Sequence, residues 1–144
     1  MHNQEIIKAL NRNLEKEYAS VLFYLQIVNL VDAFKERRLK TIISRLSEDE
    51  VRHAEKLAER ITELGGKSSW RVAHFEKKRT LKESIEQIIA SEDEAIGDYT
   101  ELMSKTEDEP KVWITLKEIV EEEIGHRTRA EALLRANATL FQNL

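Results

Sequence analysis

The chain has no cysteine, which excludes disulfides, thiolate zinc sites, iron-sulfur clusters and a thiol nucleophile together. Any metal must therefore be held by His, Asp and Glu. A single proline among 144 residues, with 35% charged and 41% hydrophobic residues, suits long amphipathic helices better than a strand-rich or disordered chain. A dominant charge sign is also lacking: 23 basic residues are interspersed with 27 acidic ones for a net charge of -4, which leaves no basic stripe for nucleic acid. No apolar run approaches the roughly 20 residues of a membrane span, and Met1-His2-Asn3-Gln4-Glu5 is no basic and apolar signal region. The expectation is a cytoplasmic, all-helical protein with one domain over residues 1–144, bound to neither nucleic acid nor membrane.

Four stretches carry apolar residues at alternating steps of four and three, the spacing of a helix that buries one narrow seam. The first, roughly residues 4–32, runs Leu10, Leu14, Glu17, Val21, Tyr24, Val28, Val31, and loses phase through Asp32 to Arg38. The second, 37–64, runs Leu39, Ile43, Leu46, Glu50, His53, Leu57, Ile61, Leu64 and stops at Gly65-Gly66. Thr80-Leu81-Lys82-Glu83 has the form of a capping box and opens the third, 81–105, with Leu81, Ile85, Ile88, Glu92, Ala95, Tyr99, Leu102. Asp108 and Pro110 start the fourth, 109–135, with Val112, Leu116, Ile119, Glu123, His126, Ala130, Leu133. The connection from Gly65 to Arg79 is longer than the two to eight residues usual between antiparallel neighbours, and an extended chain of that length reaches about 50 Å. A crossover to a parallel third helix is expected there, although helix levels alone are compatible with either direction.

Each seam is interrupted near its middle by groups foreign to an apolar core: Glu17, Glu50 with His53, Glu92, and Glu123 with His126. Four carboxylates buried without partners would cost several kcal/mol each, and no Lys or Arg occupies the neighbouring seam positions. Two divalent cations balance four carboxylates and two neutral imidazoles. Glu-x-x-His places both side chains on one helix face about one turn apart, so each pair can grip one ion while a single Glu from a partner helix completes it.

The pattern repeats within the chain. Glu17 and Tyr24 are seven apart, as are Glu92 and Tyr99, and the two Glu-x-x-His helices mirror each other. Each half thus reads as a helical hairpin donating half a site about a pseudo-twofold axis. The acid before each motif also repeats, which pairs Asp49 with His126 and Glu122 with His53 as acceptors for the second ring N–H. Tyr24 and Tyr99 are either core aromatics or hydrogen-bond donors to the carboxylates, the matched spacing favouring the latter. Glu94 lies about 200° around the helix from Glu92 and belongs on the surface. The run Glu121-Glu122-Glu123 is mostly a solvated face with Glu123 as its inward member, and His2 and His74 lie outside the seams.

At these residues the sequence resembles the ferritin-like superfamily, most closely bacterioferritins and the di-iron domain of rubrerythrins. The segments that carry the likeness are Glu17-Tyr18-Ala19, Glu50-Val51-Arg52-His53-Ala54, Leu64-Gly65-Gly66 and Glu121-Glu122-Glu123-Ile124-Gly125-His126. The resemblance implies a four-helix bundle with a long crossover from the second helix to the third. It makes Glu50 and Glu123 bridges between two irons, Glu17 and Glu92 terminal ligands, and His53 and His126 the cap of one iron each. Val51 stands where bacterioferritins place a haem-ligating Met, so haem is not expected. The lack of cysteine removes the rubredoxin-like domain of rubrerythrins, and no clear extra carboxylates of their type lie on the third helix. Ferritin cages carry a fifth helix, whereas only Arg135 to Leu144 follow the fourth here, so a dimer is expected before a cage.

The resulting expectation is a ferroxidase-type oxidoreductase, with Fe(II) and dioxygen or peroxide as reactants and Glu50, Glu123 and Tyr24 as the catalytic groups. Manganese or zinc would also suit an oxygen-rich, sulfur-free donor set. The competing readings are an iron-storage cage subunit, a rubrerythrin-like peroxidase and a bundle in which metal is purely structural. The apolar tail around Leu140 and Phe141 is expected to pack on its own bundle.

Overall fold

The computed structural model describes residues 1–33 and 36–141, apart from the side chain of Leu140. Its main elements are α1 (Asn3–Ala33), α2 (Arg37–Glu63), α3 (Leu81–Ser104) and α4 (Pro110–Ala136), followed by a short α5 (Ala138–Phe141). The four long helices start and stop within a residue or so of the positions given by seam, cap and breaker residues. At α3 the capping signal is realised in part. Thr80 accepts from the Glu83 N–H at 3.1 Å, while the Glu83 carboxylate reaches past Thr80 to the backbone N–H of Arg79. Pro110 occupies the first turn of α4, where its missing N–H costs nothing.

The four helices form a bundle in the cyclic order α1, α2, α4, α3, with each hairpin its own tightly packed pair. Two apolar clusters fix the helix directions. At one end the N-terminal halves of α1 and α4 (Leu10, Leu14, Leu116, Ile119) meet the C-terminal halves of α2 and α3 (Leu57, Ile61, Leu102). At the other end Ile27 and Val31 of α1 and Leu133 of α4 meet Ile43 of α2 and Leu81 and Ile85 of α3. Helices α2 and α3 therefore run parallel, and the segment joining them crosses the whole bundle.

The crossover follows α1. Asn11 accepts from the Ser69 N–H and donates to Lys67 O, Ala73 N–H donates to Glu15 O at 3.0 Å, and the Phe75 ring meets Phe23 edge-on at 6.2 Å. Its first bend needs glycine: Gly65 has a φ of 85°, and a Cβ on Gly66 would lie 2.7 Å from the Ile7 methyl Cγ2. On α4 every expected seam position is buried. On α1, Val21 and Val28 are only half-buried, and Phe23 and Ile27 are buried in their place. The covering ring of Phe75 accounts for the burial of Phe23. In the tail, Phe141 is buried in the second cluster, as expected, whereas the Leu140 side chain and residues 142–144 lie outside the described residues. Among the described residues no helix is long and apolar enough to cross a membrane.

Candidate metal centre

Between the two apolar clusters the bundle is polar. Glu17, Glu50, His53, Glu92, Glu123 and His126 are each at most 3% exposed, all at one level. Their donor atoms fall into two groups, Glu17, Glu50, His53, Glu123 and Glu50, Glu92, Glu123, His126, with one atom per residue and all atoms of a group within 4.8 Å of one another. Glu50 and Glu123 belong to both groups. Their positions on α2 and α4 follow from the seam step: each lies three residues before its histidine and so on the same inward face.

Both histidines are braced from behind. His53 Nε2 donates to Glu122 Oε2 at 2.6 Å and His126 Nε2 to Asp49 Oδ2 at 2.9 Å. These are the two cross-helix pairings expected from the repeated acid, and Arg52 in turn pairs with Asp49. With Nε2 committed outward, Nδ1 of each ring faces the carboxylates. His53 Nδ1 lies 3.1 Å from Glu123 and His126 Nδ1 lies 2.9 Å from Glu50. The rings stack with centroids 5.8 Å apart.

The tyrosines cross-link the other two helices. Tyr24 on α1 donates to Glu92 on α3, and Tyr99 on α3 donates to Glu17 on α1 at 2.5 Å. This reciprocal exchange is the pseudo-twofold relation seen in the seven-residue spacings. Glu94 is a surface group, ion-paired to Lys16 at 2.9 Å. His2 is exposed, and His74, 84% exposed in its side chain, stands beside Glu76 on the crossover.

Metal-free, the centre holds protons. Burial pushes Glu92 up to about 8, partly opposed by the nearby His126 ring. Burial and the neighbouring Glu17 charge raise Glu50 well above the carboxylate range. Burial alone would lower His126, but the carboxylates of Glu123, Glu50 and Glu92 around its Nδ1 lift it to about 11. His53 is likewise raised, the nearby carboxylates of Glu123, Glu17 and Glu50 overcoming burial. Glu123 moves the other way: burial favours its neutral form, but the two histidines close beside it hold it below the ordinary range. Burial and carboxylate neighbours raise both phenols, which stay protonated donors.

The donor set fits a pair of cations. Glu17 Oε2, Glu50 Oε2, Glu92 Oε2, Glu123 Oε1 and His53 Nδ1 are buried with no hydrogen-bond partner among the described residues. A buried polar atom left unmade costs about 1–3 kcal/mol, more when charged, so five in one place ask for a shared cationic partner. Oxygen donors with two imidazoles suit hard or borderline divalent ions.

Residues 7–138 match the family described as the ferritin-like domain. The chain belongs to that family. A ferritin-like, di-iron-carboxylate protein of Bacillus anthracis superposes with a TM-score of 0.86 at 26% identity, covering 93% of this chain and 99% of that one. Bacterioferritins of Mycobacterium tuberculosis (TM-score 0.89, covering 97% of this chain and 90% of that one) and Desulfovibrio desulfuricans (0.90, covering 98% and 84%) share the fold at 24% identity. A DNA protection during starvation protein of Pyrococcus furiosus is 25% identical over 92% of this chain and 84% of its own length. The buried Glu/His cluster of this ferritin-like chain is typical of the di-metal sites of such proteins.

Sequence reasoning missed the surroundings of the centre. A cavity of about 320 Å³ between α1, α3 and the crossover reaches from exposed His74 and Glu94 to buried Glu17 and Glu123. Its walls come from three separate segments, so no single periodicity reports it.

Proposed function

We propose that this ferritin-like chain is a single-domain, ferroxidase-type di-iron oxidoreductase that oxidises Fe(II) with dioxygen or peroxide. The observation that carries the reading is the sharing of Glu50 and Glu123 between two four-donor groups. Two ions held by common carboxylates sit close enough to act on one reactant, which isolated structural sites do not require. Glu17 with His53 would complete one position and Glu92 with His126 the other. Bound there, the iron pair supplies two electrons to the oxidant, one from each Fe(II).

The protein's own groups prepare for that exchange. Glu122 and Asp49 hold the imidazoles with Nε2 protonated and Nδ1 turned inward, so no reorientation is needed when a metal enters. Tyr24 and Tyr99 aim Glu92 and Glu17 and keep an O–H beside the carboxylates. The apolar clusters on both sides exclude water from the ends of the centre. A DNA-protective role by direct contact is not supported by a chain of net charge -4. The iron-storage reading requires a hollow assembly, whereas this proposal expects a small homo-oligomer.

Aerobic addition of Fe(II) to the metal-free protein, with oxygen uptake recorded and particle size measured on the same sample, tests the reading. Fast oxygen uptake that Glu50→Ala and Glu123→Ala abolish supports it. Binding without oxygen uptake leaves a structural metal bundle, and a large particle retaining mineral favours storage.

A further inference from the structure

The centre is closed on its α2–α4 side. There the histidines are backed by Glu122 and Asp49, and Asp49 is itself covered by Arg52. Its two ends are filled by the apolar clusters. On the α1–α3 side a cavity of about 320 Å³ opens between these helices and the crossover. A water occupies about 30 Å³ of liquid, so the space is roomy for a hydrated ion on its way in. Buried oxygens without a hydrogen-bond partner, Glu17 Oε2 and Glu123 Oε1, belong to residues lining its inner part.

The outer wall carries a charged latch. Lys16 on α1 spans to α3 and pairs with Glu94 at 2.9 Å and Asp98 at 2.7 Å, its side chain 44% exposed. It leaves one net negative charge where Glu94 and Asp98 alone would present two. Facing it, the crossover is pinned by the Ala73–Glu15 backbone bond and the contact of Phe75 with Phe23, so the opening has a built rim.

We propose that this cavity is the port through which metal ions reach the centre and that Lys16 sets how fast a cation passes it. The proposal rests on the di-metal reading of the centre. A divalent ion approaching the mouth feels the field of every charge within a Debye length of about 10 Å, and the lysine subtracts from the attraction of the two acids. Lys16 acts on the passing ion through its charge in this role and touches no metal itself.

Stopped-flow mixing of Co(II) with the metal-free full chain, read by Co(II) absorbance, tests the port without any redox step. Lys16→Gln should load Co(II) up to roughly tenfold faster at low salt, with the gain disappearing at high salt and the final amplitude unchanged. Ser20→Trp on α1 and Ala73→Trp on the crossover each fill the cavity from a different wall. Either should slow loading by about tenfold or more while reaching the same final amplitude. Circular dichroism of each variant shows that it is folded. Wild-type loading rates in both folded tryptophan variants, or no low-salt acceleration in Lys16→Gln, would overturn the port with the centre left standing. No Co(II) uptake by the wild-type chain would remove the centre and the port together.

Discussion

Tyr99 on α3 donates a 2.5 Å hydrogen bond to Glu17 on α1, and both side chains are buried. The bond joins two helices that border a cavity, and it satisfies one oxygen of a carboxylate whose second oxygen has no hydrogen-bond partner among the described residues. Tyr99→Phe leaves the first oxygen bare as well. Loss of a donor to a buried carboxylate costs about 1–3 kcal/mol, so the metal-free variant should unfold at correspondingly lower urea concentration. Unchanged urea stability would mean that this bond does not bind the two helices together.

On the proposed reading, the acids behind the histidines act on metal through ring orientation. Asp49→Ala frees the Nε2 of His126, and Glu122→Ala does the same for His53. Each substitution should weaken metal binding about 10–100-fold, measured by competition with a chelating dye. Asp49 is the more covered acid, 18% exposed against 42% for Glu122, and its removal should have the larger effect. Affinity within a factor of two of wild type in both variants would contradict the bracing role.

Metal binding and folding should respond oppositely to pH. Glu92 is raised from 4.5 to about 8 in the folded chain. Between those values the unfolded chain has released a proton that the folded one keeps, so the stability of the metal-free form falls as pH rises. His126, raised from 6.5 to about 11, contributes stability that is complete below 6.5 and lost on the way up through 11, the same sign. Metal must displace these protons, so affinity should climb as pH rises towards 8. Zinc titrations by calorimetry at about pH 6 and about pH 8, in buffers of different ionisation heat, check this through the protons released. Zero proton release at the lower pH would contradict the protonated resting state.

Much of the centre was legible in the sequence because its residues sit where a periodic pattern demands an apolar side chain. Glu17, Glu50, Glu92 and Glu123 stand out only against the seams they interrupt, and the acids at 49 and 122 only against the repeat of the two halves. Helix direction was not legible from the seams, since Glu92 comes level with Glu50 whichever way α3 runs; only the length of the 65–79 connection pointed to a crossover. Direction is fixed by long-range packing, with Leu102 in one apolar cluster with Leu57 and Ile61 at one end and Leu81 in one cluster with Ile43 at the other. Phe23 escaped the α1 seam for a similar reason: the ring that covers it, Phe75, comes from an aperiodic segment fifty residues away. The cavity and the reach of Lys16 across it depend on three segments at once and leave no trace in any one of them.

The sharing of Glu50 and Glu123 by two metal positions is tested most directly by anaerobic Fe(II) titration of the metal-free chain, with bound iron counted per chain. The account predicts saturation at two ions, and a loss of tight binding at both positions when Glu123 alone is replaced by Ala. Saturation at one ion, or a Glu123→Ala chain that keeps one position at wild-type affinity, would contradict a carboxylate-bridged pair.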